Sequence, residues 1–376
     1  MSTPEKKAEE KPEGAPPPGE EEMAPPLELE KGTKVGEYVV DTPIQPEAFL
    51  YPIFNFIVEK KKEKFVLRAE RAEEKEGVLK NELFILLELE KQEKLKNFPT
   101  VYDRGQEKTF NWFVLTLCGK SLRALRKEQP LRRFTLGCGI SVSIQCLKAL
   151  ETLHDLGYIH RDVSPTNFSV GRQDTKEKRV VYCLDFGLAH QYKNKHGEIK
   201  VPRTDPWLYK GNIRYASRRC LKREELCRKD DLEMWLYMVI EFCKGSLPWC
   251  NITNKADLLS TQTQVRTPNG LRYLLGGMPI EFIKIIEAID ALGYSDDPDY
   301  NTIYGLLQNS LCLNDLEEYP WDWEEKKSEH KTAKLIKDKK DAKSPAAGKS
   351  TEPDKKTTPE KGKDAKPGAS KADKKK

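Results

Sequence analysis

Apolar positions in this 376-residue chain are concentrated between residues 34 and 325, and their spacing changes partway along. From 35 to 70 they come in short runs, and residues 54–58 and 65–69 predict strands flanking a basic turn at 60–64. Residues 73–96 predict a helix, with Leu79, Leu83, Leu86 and Leu87 near i, i+3, i+4 spacing. Residues 111–117 (NWFVLTL) predict a buried strand. Beyond Gly119 helical spacing takes over: Ile144, Leu147, Leu150 and Leu153 mark a helix that Gly157 ends. A further strand is predicted at 180–184. Residues 232–242 (LEMWLYMVIEF) are apolar almost all round, the mark of a helix buried inside a sizeable lobe. Strands first and helices later predict an α+β fold with a small β-rich lobe at 34–118 and a larger α-helical lobe at 119–325. Their seam falls near 117–119, and clefts between lobes favour small-molecule sites.

Composition changes this picture mainly at the ends. Residues 1–31 hold nine Glu against four Lys, and residues 326–376 hold eighteen Lys against eight acids. The net charge of +5 therefore hides a nearly neutral body between an acidic, proline-rich N-terminus (1–33) and a basic C-terminal tail. Neither end has enough apolar residues to fold alone, so both are expected to be disordered. The densest apolar run, 234–243, is too short to span a bilayer. No secretory signal peptide is expected of such an N-terminus. The nine cysteines include no C-x-x-C pair, which suits reduced thiols in a cytoplasmic or nuclear protein rather than a disulfide frame or zinc site.

The chemistry is concentrated between 159 and 187. His160, Arg161, Asp162 and Asn167 form H-R-D-x-x-x-x-N, and Asp185, Phe186 and Gly187 form D-F-G. The first pattern offers a carboxylate to orient an attacking hydroxyl and an amide oxygen for a metal. The second offers a carboxylate for Mg²⁺ bridging nucleotide phosphates.

Around these motifs lie GYIHRDVSPTNFSVG, CLDFGLAHQY, GNIRYAS, RKDDLEMW, GSLPW and PWDWE. Over residues 34–325 the chain resembles the casein kinase 1 superfamily of protein kinases, most closely its tau-tubulin kinase branch. The resemblance implies a two-lobed protein kinase fold using ATP and Mg²⁺. It implies Asp162 as catalytic base and Asn167 and Asp185 as metal ligands. Glu82 would partner the strand cation, Leu115 would border the adenine, and the backbone from Thr116 through Leu117 to Cys118 would pair with the base. Asp231 would brace the catalytic loop.

Three departures fall on the phosphate side of this pattern. The strand lysine is replaced by Arg68, whose planar fork does not reproduce an ammonium point charge; pairing with Glu82, closing the site, is expected ahead of phosphate binding. Residues 44–53, where a glycine-rich loop belongs, contain no glycine, two prolines and Glu47. Ser164 stands where the family has a lysine that neutralises the transferred phosphoryl group. A lost charge of that kind costs about 10²–10³ in rate. The expectation is a pseudokinase or feeble kinase; the alternative is an active serine/threonine kinase.

Arg203, Lys210, Arg214, Arg218, Arg219, Lys222 and Arg223 surround the segment where the family receives its substrate. Relatives favour acidic or phosphorylated proteins, so Arg214 and Arg218 are expected to meet a substrate anion, with several of the others facing solvent. The Lys-rich tail suits an acidic partner, whether cytoskeletal protein, nucleic acid or anionic membrane surface. A monomer is expected.

Overall fold

The computed structural model describes residues 27–44, 53–74, 77–204 and 210–324. The stretch lacking glycines, apart from its two ends, and most of both charged termini lie outside them. Six antiparallel strands form the small lobe: β1 (Lys34–Val35), β2 (Tyr38–Ile44), β3 (Ile53–Lys60), β4 (Glu63–Arg71), β5 (Val101–Gln106) and β6 (Phe110–Thr116), in the order β1-β2-β3-β4-β6-β5. The predicted basic turn is a tight hairpin pairing Lys60 with Glu63. Its two central residues, Lys61 and Lys62, have φ of 53° and 71°, the left-handed twist that suits a two-residue β-turn.

Alternation along β4 sorts the small lobe into two faces. Leu67 and Ala69 join Phe56, Val58, Trp112 and Val114 in a core on one side. Arg68, between them, faces the other side, towards helix α1 (Val78–Lys91). That helix starts later than predicted. It follows Gly77, at φ 59°, and the Glu70 carboxylate accepts the backbone N–H of Val78 (3.1 Å) and Leu79 (3.4 Å), so β4 itself caps the helix.

The large lobe comprises α2 (Leu122–Glu128), α3 (Leu136–Asp155), the short strands β7 (Tyr158–Ile159), β8 (Phe168–Val170), β9 (Val181–Cys183) and β10 (His190–Gln191), then α4 (Arg218–Leu221), α5 (Arg228–Lys244), α6 (Lys255–Gln264), α7 (Pro268–Leu275), α8 (Glu281–Asp290) and α9 (Tyr300–Leu313). Helix α3 ends before Gly157 (φ 92°), as its sequence predicts. Helix α5 is buried over nearly its whole length, and Gly245 at φ 90° ends it. No described helix is long and apolar enough to cross a membrane.

Several sequence motifs explain this packing rather than any chemistry. Trp249 of GSLPW is buried edge-on against Tyr237, with its indole N–H donating to the Arg214 carbonyl at 2.8 Å. Ser217 of GNIRYAS caps α4 and donates to Asp230 at 2.6 Å. In PWDWE, Asp322 accepts from the Thr135 backbone N–H (2.7 Å) and hydroxyl (2.9 Å) at the start of α3. Trp321 is buried and donates to Ser141 at 3.2 Å.

Candidate active site

Strand β7 delivers the chain to His160, Arg161 and Asp162, and Asp231 in the first turn of α5 fixes the bend. Its carboxylate accepts the backbone N–H of His160 (2.6 Å) and Arg161 (2.9 Å) and hydrogen-bonds His154 Nε2 (2.8 Å). Arg161 takes φ 65°, a left-handed conformation that those bonds stabilise. Burial alone would raise the Asp231 pKa; the His154 hydrogen bond and the neighbouring His160 hold it below the usual range.

Antiparallel pairing of β8 with β9 sets Phe168 opposite Cys183, and the Leu184 N–H donates to the Asn167 carbonyl at 2.8 Å. This brings Asn167, just before β8, beside Asp185, just after β9. The Asn167 amide N–H₂ donates to the Asp162 carbonyl and to Asp162 Oδ2, both at 2.8 Å. Its amide nitrogen is thereby committed, which leaves Oδ1 as the side chain's acceptor atom. Asp162 Oδ1 accepts the Asn212 backbone N–H at 2.9 Å, and burial raises this carboxyl above its ordinary pKa. Phe186 is fully buried against Phe98 and His160. Asn81 of α1 donates to the carbonyls of Phe186 and Ala189, each at 2.9 Å, which ties the helix to the D-F-G segment.

Arg68 crosses between the lobes. Its Nη1 donates to Glu82 Oε1 at 2.8 Å, and Nη2 lies 3.6 Å from Asp185 Oδ1. Its Nε is buried with no hydrogen-bond partner among the described residues. Burial lifts Glu82 to about 7, against the pull of Arg68. Ser164 is fully buried, and its hydroxyl bonds Thr166 at 2.6 Å.

These residues border a cavity of about 500 Å³ between the lobes. Ile53, Val66, Leu115, Leu117 and Leu184 supply apolar wall, and Arg68, Glu82, Asp162, Asn167 and Asp185 line it as well. All the sequence-predicted nucleotide-side residues therefore meet at one cleft. Asn81, Asn212 and Glu70 were missed. Each acts through a backbone group distant in sequence, and no spacing rule marks such a contact.

The two expected substrate arginines both have acidic partners in the large lobe. Arg218 donates from Nε to the buried Glu233 (2.8 Å) and also pairs with Asp290, so its charge is spent inside the large lobe. Arg214 donates to the buried Glu241 at 3.0 Å, although its side chain stays 40% exposed. Arg203 forms a two-pronged pair with Glu225 at 2.7 and 3.0 Å.

Residues 57–277 match the family described as the protein kinase domain. A Dictyostelium discoideum protein named a probable serine/threonine-protein kinase is 32% identical over 265 residues, 70% of this chain and 51% of its own length. Serine/threonine-protein kinase spe-6 of Caenorhabditis elegans is 32% identical over 267 residues, 70% of this chain and 69% of its own. Casein kinase I homolog 3 of Schizosaccharomyces pombe is 32% identical over 235 residues, 61% of this chain and 53% of its own. The chain thus spans about half the length of the slime-mould and yeast relatives. With Asp162, Asn167 and Asp185 brought together at this cleft, the chain belongs to the protein kinase family and carries a casein kinase 1-like serine/threonine kinase domain.

Proposed function

We propose that this chain is a serine/threonine kinase of attenuated turnover, acting on acidic or phosphorylated proteins. The protein kinase domain implies ATP and Mg²⁺ in general, and the donor set fits the metal. Asn167 Oδ1 and the partly exposed Asp185 carboxylate are hard oxygen ligands, and Mg²⁺ takes one or two of these plus phosphates and water. Mg-ATP, when bound, supplies the γ-phosphoryl group. Asp162 would orient a Ser or Thr hydroxyl and take up its proton, while Asn167 holds that carboxylate in place. Leu115 and Leu117 would flank the adenine.

The observation that carries the attenuation is Arg68. Its planar guanidinium does not reproduce the ammonium point charge of the lysine it replaces, and Ser164 offers no charge. The alternative, a fully active enzyme, draws on the assembled Asp162–Asn167 pair and the intact link between Arg68 and Glu82. On its sequence motifs we assign the chain to the tau-tubulin kinase-like branch. We also assign the Lys-rich tail to an acidic partner.

Transfer of the γ-phosphoryl group from Mg-ATP to casein, with the purified chain beside its Asp185→Asn variant, tests this reading. Slow transfer that the substitution abolishes supports it. Equal background in both removes catalysis and leaves a binding fold; rapid transfer by the native chain establishes the alternative.

A further inference from the structure

Asp185 reaches the cleft from a turn that its own side chain does little to fix. Its backbone takes φ 64°, a left-handed conformation that the surrounding structure must hold in a residue with a Cβ. The carboxylate has a long bond from the Gly187 N–H (3.4 Å) and the 3.6 Å approach of Arg68. Firmer holds act on the backbone to either side. Before the turn, the Leu184 N–H donates to the Asn167 carbonyl at 2.8 Å. After it, the carbonyls of Phe186 (2.9 Å), Gly187 (3.3 Å) and Ala189 (2.9 Å) converge on Asn81 Nδ2. Carbonyl oxygens only accept, so the three of them fix the Asn81 amide with its N–H₂ towards the turn. The start of α1 also abuts this turn, since a Cβ on Gly187 would lie 2.2 Å from Val78 Cγ1.

We infer that Asn81 is a positioning residue for Asp185: its amide holds the turn at 185–189 against the strained backbone, so that the carboxylate faces the cleft before any ligand binds. This rests on the reading above of Asp185 as a Mg²⁺ ligand. Without the amide, three carbonyls lose their common donor and the turn can relax out of the left-handed conformation. Losing two hydrogen bonds of ordinary strength shifts such a local equilibrium about tenfold or more. A ligand that needs the metal then binds only the fraction of chains whose carboxylate is in place, whereas a ligand held at the base end alone is unaffected.

Hydrogen exchange of the full chain without ligand, read by mass spectrometry over 184–191, tests the hold in Asn81→Leu. Asn81→Asp, of nearly unchanged size but without the donor, is the second variant, and melting checks that both are folded. Exchange in this stretch is expected to rise about tenfold or more, and by more than that of α5. Calorimetry with ADP in EDTA, ADP with Mg²⁺ and adenosine shows whether the hold serves the carboxylate. In the native chain Mg²⁺ should tighten ADP binding, and Asp185→Asn should remove that gain. Both Asn81 variants should lose about threefold or more of it, with adenosine affinity unchanged. Exchange within about twofold of native in both variants overturns the inference, as does an undiminished gain from Mg²⁺, and the kinase reading survives either result. No gain from Mg²⁺ in the native chain overturns both.

Discussion

Arg68 touches Glu82 of α1 through one nitrogen, at 2.8 Å, and turns the next towards Asp185, 3.6 Å away. One side chain thus joins the strand, the helix and the Asp185 carboxylate. Helix α1 and the D-F-G segment are thereby both tied to β4 through one guanidinium.

Asp231 receives two catalytic-loop N–H groups and His154 in full burial. Asp231→Ala is expected to cost about 3–5 kcal/mol, because it strands several buried donors at once. Urea unfolding measures this, and a loss under about 1 kcal/mol would show that the loop holds its bend without the carboxylate.

Arg218 is expected to govern stability rather than substrate choice. Removing it leaves Glu233 buried with fewer counter-charges, Arg266 among those remaining. Arg218→Ala should destabilise by about 3 kcal/mol without altering preference between acidic and neutral peptides. A changed peptide preference at unchanged stability would return Arg218 to the substrate face.

Gly137 sits where an added Cβ would lie 2.1 Å from the Glu317 carbonyl oxygen. Since backbone cannot swing aside as a side chain can, Gly137→Ala should loosen the segment that carries Trp321 and Asp322 from α3. A loss of about 1–3 kcal/mol is expected. Thermal melting checks it, with Gly305→Ala, where an added Cβ would meet no described atom outside its own stretch of helix within 4 Å, as the comparison.

His190 is held down to about 4 from its ordinary 6.5 by burial and by Arg161 and Arg203. The unfolded chain takes this proton at pH 6.5 and the folded chain only near 4. Acidification through that window therefore favours unfolding, and this group's contribution to stability is lost as pH falls. His190→Gln should flatten the pH dependence by about 1–2 kcal/mol, allowing for solvent screening. Denaturant midpoints at pH 7 and pH 5 give the comparison, and identical slopes for both proteins would contradict it.

Much of this was legible in the sequence, for identifiable reasons. The strand at 65–69 was legible in its apolar residues, and the Arg68–Glu82 pairing, expected from the family resemblance, is present at 2.8 Å. The buried α5 announced itself by having no polar face, though its N-terminal Asp230 and Asp231 serve loops on either side. Helix α1 was read too long at both ends, because Glu-rich flanks are good helix formers and the cap came from Glu70, a strand residue. Arg218 was expected to meet a substrate anion because its partners, Glu233 and Asp290, lie far off in the sequence and only the fold brings them to it. Ser164 read correctly as an absent charge, but its inward bond to Thr166 needed the loop's three-dimensional path.

The proposal that the phosphate side limits phosphoryl transfer by this chain is tested most directly by restoring it. Phosphoryl transfer from Mg-ATP to casein would be measured for the native chain, for Arg68→Lys/Ser164→Lys, and for the same pair combined with Asp185→Asn. The expected result is a rise of about tenfold or more in the lysine variant, abolished when Asp185 is also replaced. A native rate that the two lysines leave unchanged, with the variant folded, would contradict the account.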